Sequence, residues 1–403
     1  MKHTFPVITH IDQVKAAIAG NELFSVLNKG DYQIVSYMLS LPITFPDLNE
    51  VGITDQEREK RKILRECRGI TFDMDGNVVR RPFEKFFNYG EKLGEAHYFD
   101  ITKPHVVMTK RDGSAISPFI IDGQLRYGTK RGVTDVSAQA VSFIRKPGNE
   151  KYNTMSLDLI GQNFTPIFEW CSLKQQIVIP YVNDELVLLA VRNMTTGDYM
   201  SYQELYDLGK KYDIPVVEVH SSISDVTDFI SHTRDLKGME GYVVDFGNYR
   251  VKLKAEEYCK LHSVVSSTQS ERQVVSLFLD DAIDDVIPML PEEISKRLLD
   301  FAQKIAVSID NLIHTAKDHA QEHINKGYIR RDYAALVLNG DTKPLGFLYM
   351  NAFQQLTEGK WDYEIMFKKW HQVASINLRK NIRIEENRFL IGGHRWLEVD
   401  MDA

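Results

Sequence analysis

The chain changes its hydrophobic rhythm once, and that change constrains the fold more than any other feature. Up to about His262 the apolar residues come in short runs rich in β-branched and aromatic side chains, each closed by turn residues. Phe24–Leu27 and Tyr32–Leu39 flank Asn28-Lys29-Gly30, and Gly69–Asp73 and Val78–Arg81 flank Asp75-Gly76-Asn77. Val106–Lys110, Ser114–Ile121 and Leu125–Thr129 are separated by Arg111-Asp112-Gly113 and Asp122-Gly123. Helical spacing is sparser here and predicts Ile11–Ala19, Asp55–Leu64, Tyr202–Lys211 and Asp225–Asp235. Beyond His262 the period lengthens. Ile294, Leu298, Phe301, Ile305, Ile309, Leu312, Ala316, Ala320 and His323 recur at helical spacing between Pro291, which suits a first turn, and Gly327, which suits a stop. Tyr333–Leu338, Phe347–Leu356 and Tyr363–Arg379 read as further helices. The expectation is an α+β domain over residues 1–262 and an all-helical domain over 263–403.

Composition excludes several classes. The formal charge of −7 argues against tight non-specific duplex binding, while local basic patches stay compatible with gripping a few phosphates. No apolar run nears the roughly 18 residues of a membrane span, and the opening residues lack the apolar core of a signal peptide. Three scattered cysteines (Cys67, Cys171, Cys259) fit neither a zinc site nor a disulfide framework. A cytoplasmic protein with no membrane association and no obligate protein partner is expected. P-loop, H-E-x-x-H and protein-kinase signatures are absent from the sequence.

The segment that carries chemistry is Thr109-Lys110-Arg111-Asp112-Gly113. Alone it reads first as a hairpin turn with a solvated lysine, since Asp-Gly is a common hairpin turn. Three later segments change that reading: Phe168-Glu169-Trp170, Glu240-Gly241-Tyr242-Val243-Val244 and Val251-Lys252-Leu253-Lys254, each on a predicted strand. In order and spacing, the four are similar to the nucleotidyltransferase signatures of polynucleotide ligases and capping enzymes. A free lysine is protonated at neutral pH, and nearby cations with partial burial lower its pKa and expose a lone pair. Lys252 and Lys254, two apart on a strand, share a face and can act on Lys110 in this way. For Glu240 to share that face, the intervening turn should be a three-residue Gly247-Asn248-Tyr249 loop or carry a bulge.

Longer strings narrow the resemblance. Tyr32–Tyr37 (YQIVSY), Glu66–Phe72 (ECRGITF), Phe83–Asn88 (FEKFFN), Leu188–Asn193 (LLAVRN) and Tyr258–Ser263 (YCKLHS) resemble the bacteriophage RNA ligase 1 family. That resemblance implies an N-terminal nucleotidyltransferase domain of ATP-grasp-like antiparallel sheets with flanking helices, followed by a helical domain concerned with RNA specificity. It implies an ATP-dependent RNA ligase that carries AMP on Lys110, with Mg²⁺ as the metal and Mn²⁺ able to stand in. The partners it implies are RNA ends, either broken tRNA or single-stranded RNA. Tyr37, Arg68, Lys85, Lys252 and Lys254 would contact ATP. Lys130, Glu169, Glu240 and Tyr258 match positions the family needs for activity, and Asp284-Asp285 matches an acidic pair associated with magnesium. Several residues keep a plainer reading: Tyr37 and Tyr258 as core aromatics, Arg68 in a surface ion pair, Lys85 in solvent, and Asp284-Asp285 on the solvated face of the run Asp280–Asp285. Two alternatives stand beside the ligase. A DNA ligase or capping enzyme would continue into a strand-rich OB-fold, and a non-catalytic RNA-binding protein on the same scaffold would have lost the charged pocket.

Overall fold

The structure is a computed structural model that describes residues 3–173, 178–379 and 384–396. Two compact units divide it, one up to Lys260 and one from Leu261 onward.

The first unit opens with helix α1 (Ile11–Ile18), capped by the His10 side chain, and the hairpin β1 (Phe24–Asn28) and β2 (Tyr32–Tyr37). Helix α2 (Asp55–Glu66) leads into β3 (Arg68–Asp73) and β4 (Val78–Arg80), which complete an antiparallel sheet in the order β1-β2-β3-β4. The strands that follow are β5 (Phe87–Asn88), β6 (Val106–Thr109), β7 (Ser114–Ile121), β8 (Gln124–Gly128), β9 (Phe164–Cys171), β10 (Glu185–Asn193), β11 (Val219–His220), β12 (Gly241–Asp245) and β13 (Arg250–Lys254). They form a sheet β10-β9-β7-β8 and a sheet β11-β6-β12-β13-β5, in which only the short β13–β5 pair runs parallel among the described strands.

Four helices accompany these strands: α3 (Asp135–Ile144), α4 (Lys151–Gly161), α5 (Tyr202–Tyr212) and α6 (Val226–Arg234). The first two had escaped sequence reading. Both are rich in Ser, Thr, Asn and Asp, which favour turns and caps by bonding to nearby backbone. Their apolar faces are nonetheless sufficient: Val136, Ala140 and Ile144 of α3 and Tyr152, Met155 and Leu159 of α4 are buried with Phe168, Trp170, Leu186 and Leu188. At about 25 cal/mol per Å², burying such side chains outweighs a modest propensity deficit. The one sequence signal was the Thr134 cap, whose hydroxyl accepts from the Ser137 amide.

Residues from Leu261 onward are helical wherever the described residues are ordered into elements. Helix α7 (Glu256–Ser267) is followed by α8 (Glu271–Leu279), α9 (Ile283–Val286), α10 (Glu292–Asn325), α11 (Arg330–Asn339), α12 (Gly346–Thr357), α13 (Tyr363–Arg379) and α14 (Ile384–Asn387). Helix α10 starts after Pro291, and its period buries Leu298, Phe301, Ile305, Ile309, Ile313, Ala316 and Ala320. These pack with Tyr333, Leu348, Phe353, Met366 and Trp370 in one core. No helix among the described residues is long and apolar enough to cross a membrane.

Candidate active site

The Lys110 segment is not a hairpin. Strand β6, which ends at Thr109, and strand β7, which begins at Ser114, belong to different sheets, so Lys110-Arg111-Asp112-Gly113 is the crossing between them. Asp112 anchors the crossing. Its Oδ1 accepts from the Tyr258 hydroxyl at 2.8 Å, and its Oδ2 accepts from the Val178 and Ile179 amides, both at 2.8 Å. Its own amide donates to the Tyr181 hydroxyl at 2.9 Å. A carboxylate with three donors is satisfied where it is buried, so Asp112 holds the segment and leaves chemistry to its neighbours.

Register then places the lysines. Met108 pairs with Val243 and Val243 with Lys252, so these three share a sheet face. Lys110 and Lys254 lie two residues further on and return to that face. The Lys110 amide bonds to the Gly241 carbonyl at 2.9 Å, and Gly241 pairs with Lys254. Lys110, Gly241 and Lys254 therefore form a row across three strands.

The three-residue loop expected after β12 is absent. Phe246 bonds to Tyr249 around a two-residue Gly247-Asn248 turn, and the register runs unbroken from Asp245–Arg250 to Gly241–Lys254. Strict alternation would put Glu240 on the opposite face from the lysines. It does not, because Gly241 breaks the alternation at the strand's first residue. Its φ of 136° is open to glycine alone in practice, and a side chain there would run into the Leu253 carbonyl. Glu240 thus reaches the lysine face from just outside the strand. Its Oε2 lies 2.7 Å from Lys110 Nζ and its Oε1 2.8 Å from Lys254 Nζ. Burial would raise the Glu240 pKa, but Lys110 and Lys254 outweigh it and hold the carboxyl below its usual range.

A cleft opens beside this row, lined by Met108, Val243, Leu189, Val217, Phe83 and Phe86 on its apolar sides. Lys110, Arg68 and Glu169 border it too. Glu169 is 8% exposed, and its carboxylate has no hydrogen-bond or ion-pair partner among the described residues. Burial pushes its pKa up to about 8 against the pull of Lys110, with Glu240 and Asp112 adding to the rise. Phe168 and Trp170 turn the other way, into the core beneath α3 and α4.

A second group of cations surrounds Tyr37. Lys85 and Lys130 each place Nζ 5.6 Å from its ring centre. Burial opposes ionisation of the phenol, yet Arg68, Lys130 and Lys85 prevail and lower its pKa. Lys85 donates to Ser40 Oγ at 2.7 Å, and burial lowers its pKa. Lys252 is shifted furthest: burial, then Lys85, Lys110, Arg68 and Lys254, bring it down to about 7. Lys252 thus carries a marked depression on this lysine face. Tyr258 is buried, with its ring 5.0 Å from Lys254 Nζ and its hydroxyl on Asp112. Asp284 and Asp285 lie in helix α9 of the second unit. Among the described residues no three His, Cys, Asp or Glu side chains converge as a metal-binding group.

Sequence reading missed why the resembling strings recur together. Glu66, Glu84 and Arg192 come from three of them and meet in one buried network. Arg192 Nη2 is 2.7 Å from Glu66 Oε1 and 3.4 Å from Glu84 Oε2, and Arg81 Nη2 is 3.0 Å from Glu66 Oε1. A charged residue inside each apolar string was the available signal.

A lysine held against a carboxylate and bordered by cations at an apolar cleft can receive a group that is flat and apolar at one end and anionic at the other. Residues 66–258 match the model of the RNA ligase family. A putative RNA ligase of Thermovibrio ammonificans is 29% identical over 303 residues, which cover 72% of this chain and 75% of that protein. RNA ligase 1 of bacteriophage TS2126 is 28% identical over 240 residues, 56% of this chain and 58% of that protein. These matches make the chain similar to RNA ligases, phage RNA ligase 1 among them. An archaeal ATP-dependent RNA ligase of known structure aligns over 66% of this chain and 64% of its own at 13% identity, with a TM-score of 0.40, a likeness that adds nothing to the sequence match. The chain thus spans less than two thirds of the phage and archaeal proteins.

Proposed function

We propose that the protein is an ATP-dependent RNA ligase that joins a 5′-phosphate RNA end to a 3′-hydroxyl end through AMP carried on Lys110. The observation that carries this reading is the row Lys110–Gly241–Lys254 closed by Glu240, with Lys110 Nζ at the mouth of an apolar cleft. In this reading adenine occupies the cleft between the two large antiparallel sheets, the ATP-grasp-like arrangement expected of the domain. The phosphates lie among Tyr37, Arg68, Lys85, Lys252 and Lys254, with Lys130 on the same flank.

Lys110 must surrender a proton before it attacks, and Glu240 Oε2 at 2.7 Å is its hydrogen-bond acceptor. In the first step Nζ bonds to the α-phosphorus while the bond to pyrophosphate breaks. In the second, an oxygen of the RNA 5′-phosphate attacks the same phosphorus, the P–N bond breaks, and a 5′–5′ pyrophosphate forms. In the third, the 3′-hydroxyl attacks the RNA phosphorus, loses its proton, and AMP leaves. Each step spreads negative charge over phosphoryl oxygens, which fixed cations stabilise without reorganising. A divalent cation, Mg²⁺ or Mn²⁺, would add Lewis-acid stabilisation to the same oxygens. Glu169 fits such an ion or a ribose hydroxyl, because its buried carboxylate has no hydrogen-bond or ion-pair partner among the described residues and burial, with Glu240 and Asp112 adding to it, raises its pKa. The magnesium role of Asp284 and Asp285 rests on the family resemblance.

The helical residues beyond Leu261 are read as the RNA-specificity domain, with broken tRNA as the repair substrate in a host-cell cytoplasm. The DNA ligase and capping alternatives are disfavoured because the described residues there form helices, where an OB-fold needs strands. The test is adenylylation with ATP labelled at the α-phosphate. Covalent label on the wild type and none on Lys110→Ala is expected, followed by sealing of single-stranded RNA and of a cleaved tRNA hairpin. No label, from protein verified free of pre-bound AMP, overturns the reading in favour of a binding module.

A further inference from the structure

Arg80 is fully buried at the end of β4 and has no carboxylate within ion-pair distance among the described residues. Its guanidinium serves backbone instead. Nη2 donates to the Gly69 carbonyl at 3.1 Å and to the Thr129 carbonyl at 3.0 Å, while Nε donates to Thr71 Oγ1 at 3.0 Å. The plane rests 4.9 Å from the Phe119 ring centre, and Nη1 has no hydrogen-bond partner among the described residues. Burial lowers its pKa to about 10, a cost that mere core filling by an apolar side chain would avoid.

The two carbonyls belong to the two segments that carry phosphate-binding candidates. Gly69 follows Arg68, and Thr129 precedes Lys130. The segments touch so closely that a Cβ at Gly69, whose φ is 92°, would lie 2.7 Å from Lys130 Cα. The turn holding Lys130 is closed by reciprocal backbone bonds between Thr129 and Gly132 at 2.9 and 3.0 Å. Lys130 itself is exposed and reaches Tyr37, whose pKa both Arg68 and Lys130 lower.

We propose that Arg80 is a positioning residue that clamps the Thr129–Gly132 turn onto Gly69 and thereby sets Lys130 beside Arg68 for the triphosphate of ATP. This rests on the ligase reading above and adds a residue that touches no substrate. Nη2 bridges two carbonyls about 60 residues apart in sequence while Nε of the same plane holds Thr71, a two-armed fork that a lysine ammonium cannot reproduce.

The experiment measures the KM for ATP and the rate of adenylylation at saturation in wild type, Arg80→Lys, Lys130→Ala and the double variant. Arg80→Lys should raise KM roughly tenfold, the effect of weakening one charge-assisted hydrogen bond to phosphate, with the saturated rate little changed. In the Lys130→Ala background, Arg80→Lys should add little, because the group it positions is gone. Additive effects on KM, or a fall in the saturated rate with KM unchanged, would overturn the assignment. Thr71→Val removes the Nε acceptor and the hydroxyl's own bond to the Gly69 carbonyl at 3.0 Å, leaves both Nη2 bonds in place, and should move KM the same way by less, so it carries the test if Arg80→Lys melts below the assay temperature. Loss of label in the wild type would count against the ligase reading, whereas a labelled wild type with an unmoved KM in both Arg80→Lys and Thr71→Val would count against the clamp alone.

Discussion

Two clusters of charge in the first unit have opposite bookkeeping. Around Glu66, two arginines meet two carboxylates at 0 to 7% side-chain exposure, and the donors are shared out: Arg192 also serves the Gly197 and Pro82 carbonyls, and Arg81 those of Pro6 and Thr195. Around Glu240 the balance is broken. Lys110, Lys252, Lys254, Arg68, Lys85 and Lys130 face Glu240 and Glu169, and the lysines paired with Glu240 keep 21 and 27% of their side chains in solvent. The difference separates a cluster that is complete within the fold from one that, in the proposed reading, is completed by a ligand. Matched, hydrogen-bonded charges hold segments in place, while excess cations that repel one another are a site for phosphates.

The comparison breaks most visibly at Lys110. Lys110→Ala should abolish covalent AMP transfer while leaving the melting temperature within a degree or two, since one partly exposed ion pair contributes about 1 kcal/mol or less. A melting temperature that fell steeply, measured by calorimetry, would mean that the row is structural after all. Glu66→Gln should do the reverse. Two arginines left without their carboxylate should destabilise the protein by about 3–5 kcal/mol in urea titration. The Glu66 pKa carries the same message: burial raises it, Arg192 and Arg81 overcome this, and it is held at about 2. A carboxyl lowered in the fold stabilises fully above its unfolded value near 4.5 and loses that contribution as pH falls toward 2. The acid limb of the stability curve should therefore shrink in Glu66→Gln.

How much of this was legible beforehand follows the same division. Glu169, Lys252 and Lys254 could be placed together from sequence because each sits in a short string whose spacing survives on a strand, and Lys110 and Glu240 because each lies one residue outside one. The long helix α10 was readable because its period persists over many turns. What escaped reading depends on contacts between distant segments or on one backbone angle. Glu66 and Arg192 are 126 positions apart, so no window joins them. The face of Glu240 was inferred from the turn, yet the answer lay in Gly241, whose conformation a period-two argument ignores. The Asp-Gly of the lysine motif suggested a hairpin, and only the sheet assignment of β6 and β7 reveals a crossing.

Glu169 sharpens the contrast on a smaller scale. Its carboxyl is raised above its unfolded value of 4.5, so the fold is most stable with it protonated, and that stability is lost as pH rises through about 8. Glu169→Gln should therefore melt at a higher temperature than wild type at pH 8.5 and at nearly the same temperature at pH 4.5, while adenylylation falls. A stabilised but less active variant is what a functional carboxylate implies. A variant destabilised at pH 8.5 would move Glu169 into the structural class with Glu66.

The smallest effect concerns Lys252, whose pKa of about 7 lies below its unfolded value of 10.5. The unfolded chain binds more protons between those values, so the burial cost of this lysine is full below pH 7 and relieved as pH rises toward 10.5. A bound triphosphate supplies the counter-charge that the unbound pocket lacks, and should pull the pKa back up. At pH 8 the free protein then holds Lys252 mostly neutral and the complex holds it charged, so ATP binding should take up a fraction of a proton. Calorimetric titration with a non-cleavable ATP analogue, repeated in buffers of different ionisation enthalpy, reads that fraction. Uptake at pH 8 that shrinks by pH 6 and disappears in Lys252→Met would tie the excess cations to the nucleotide. Equal heats in all buffers at pH 8 would mean that Lys252 does not meet the phosphates, and that the imbalance of charge around Glu240 awaits some other anion.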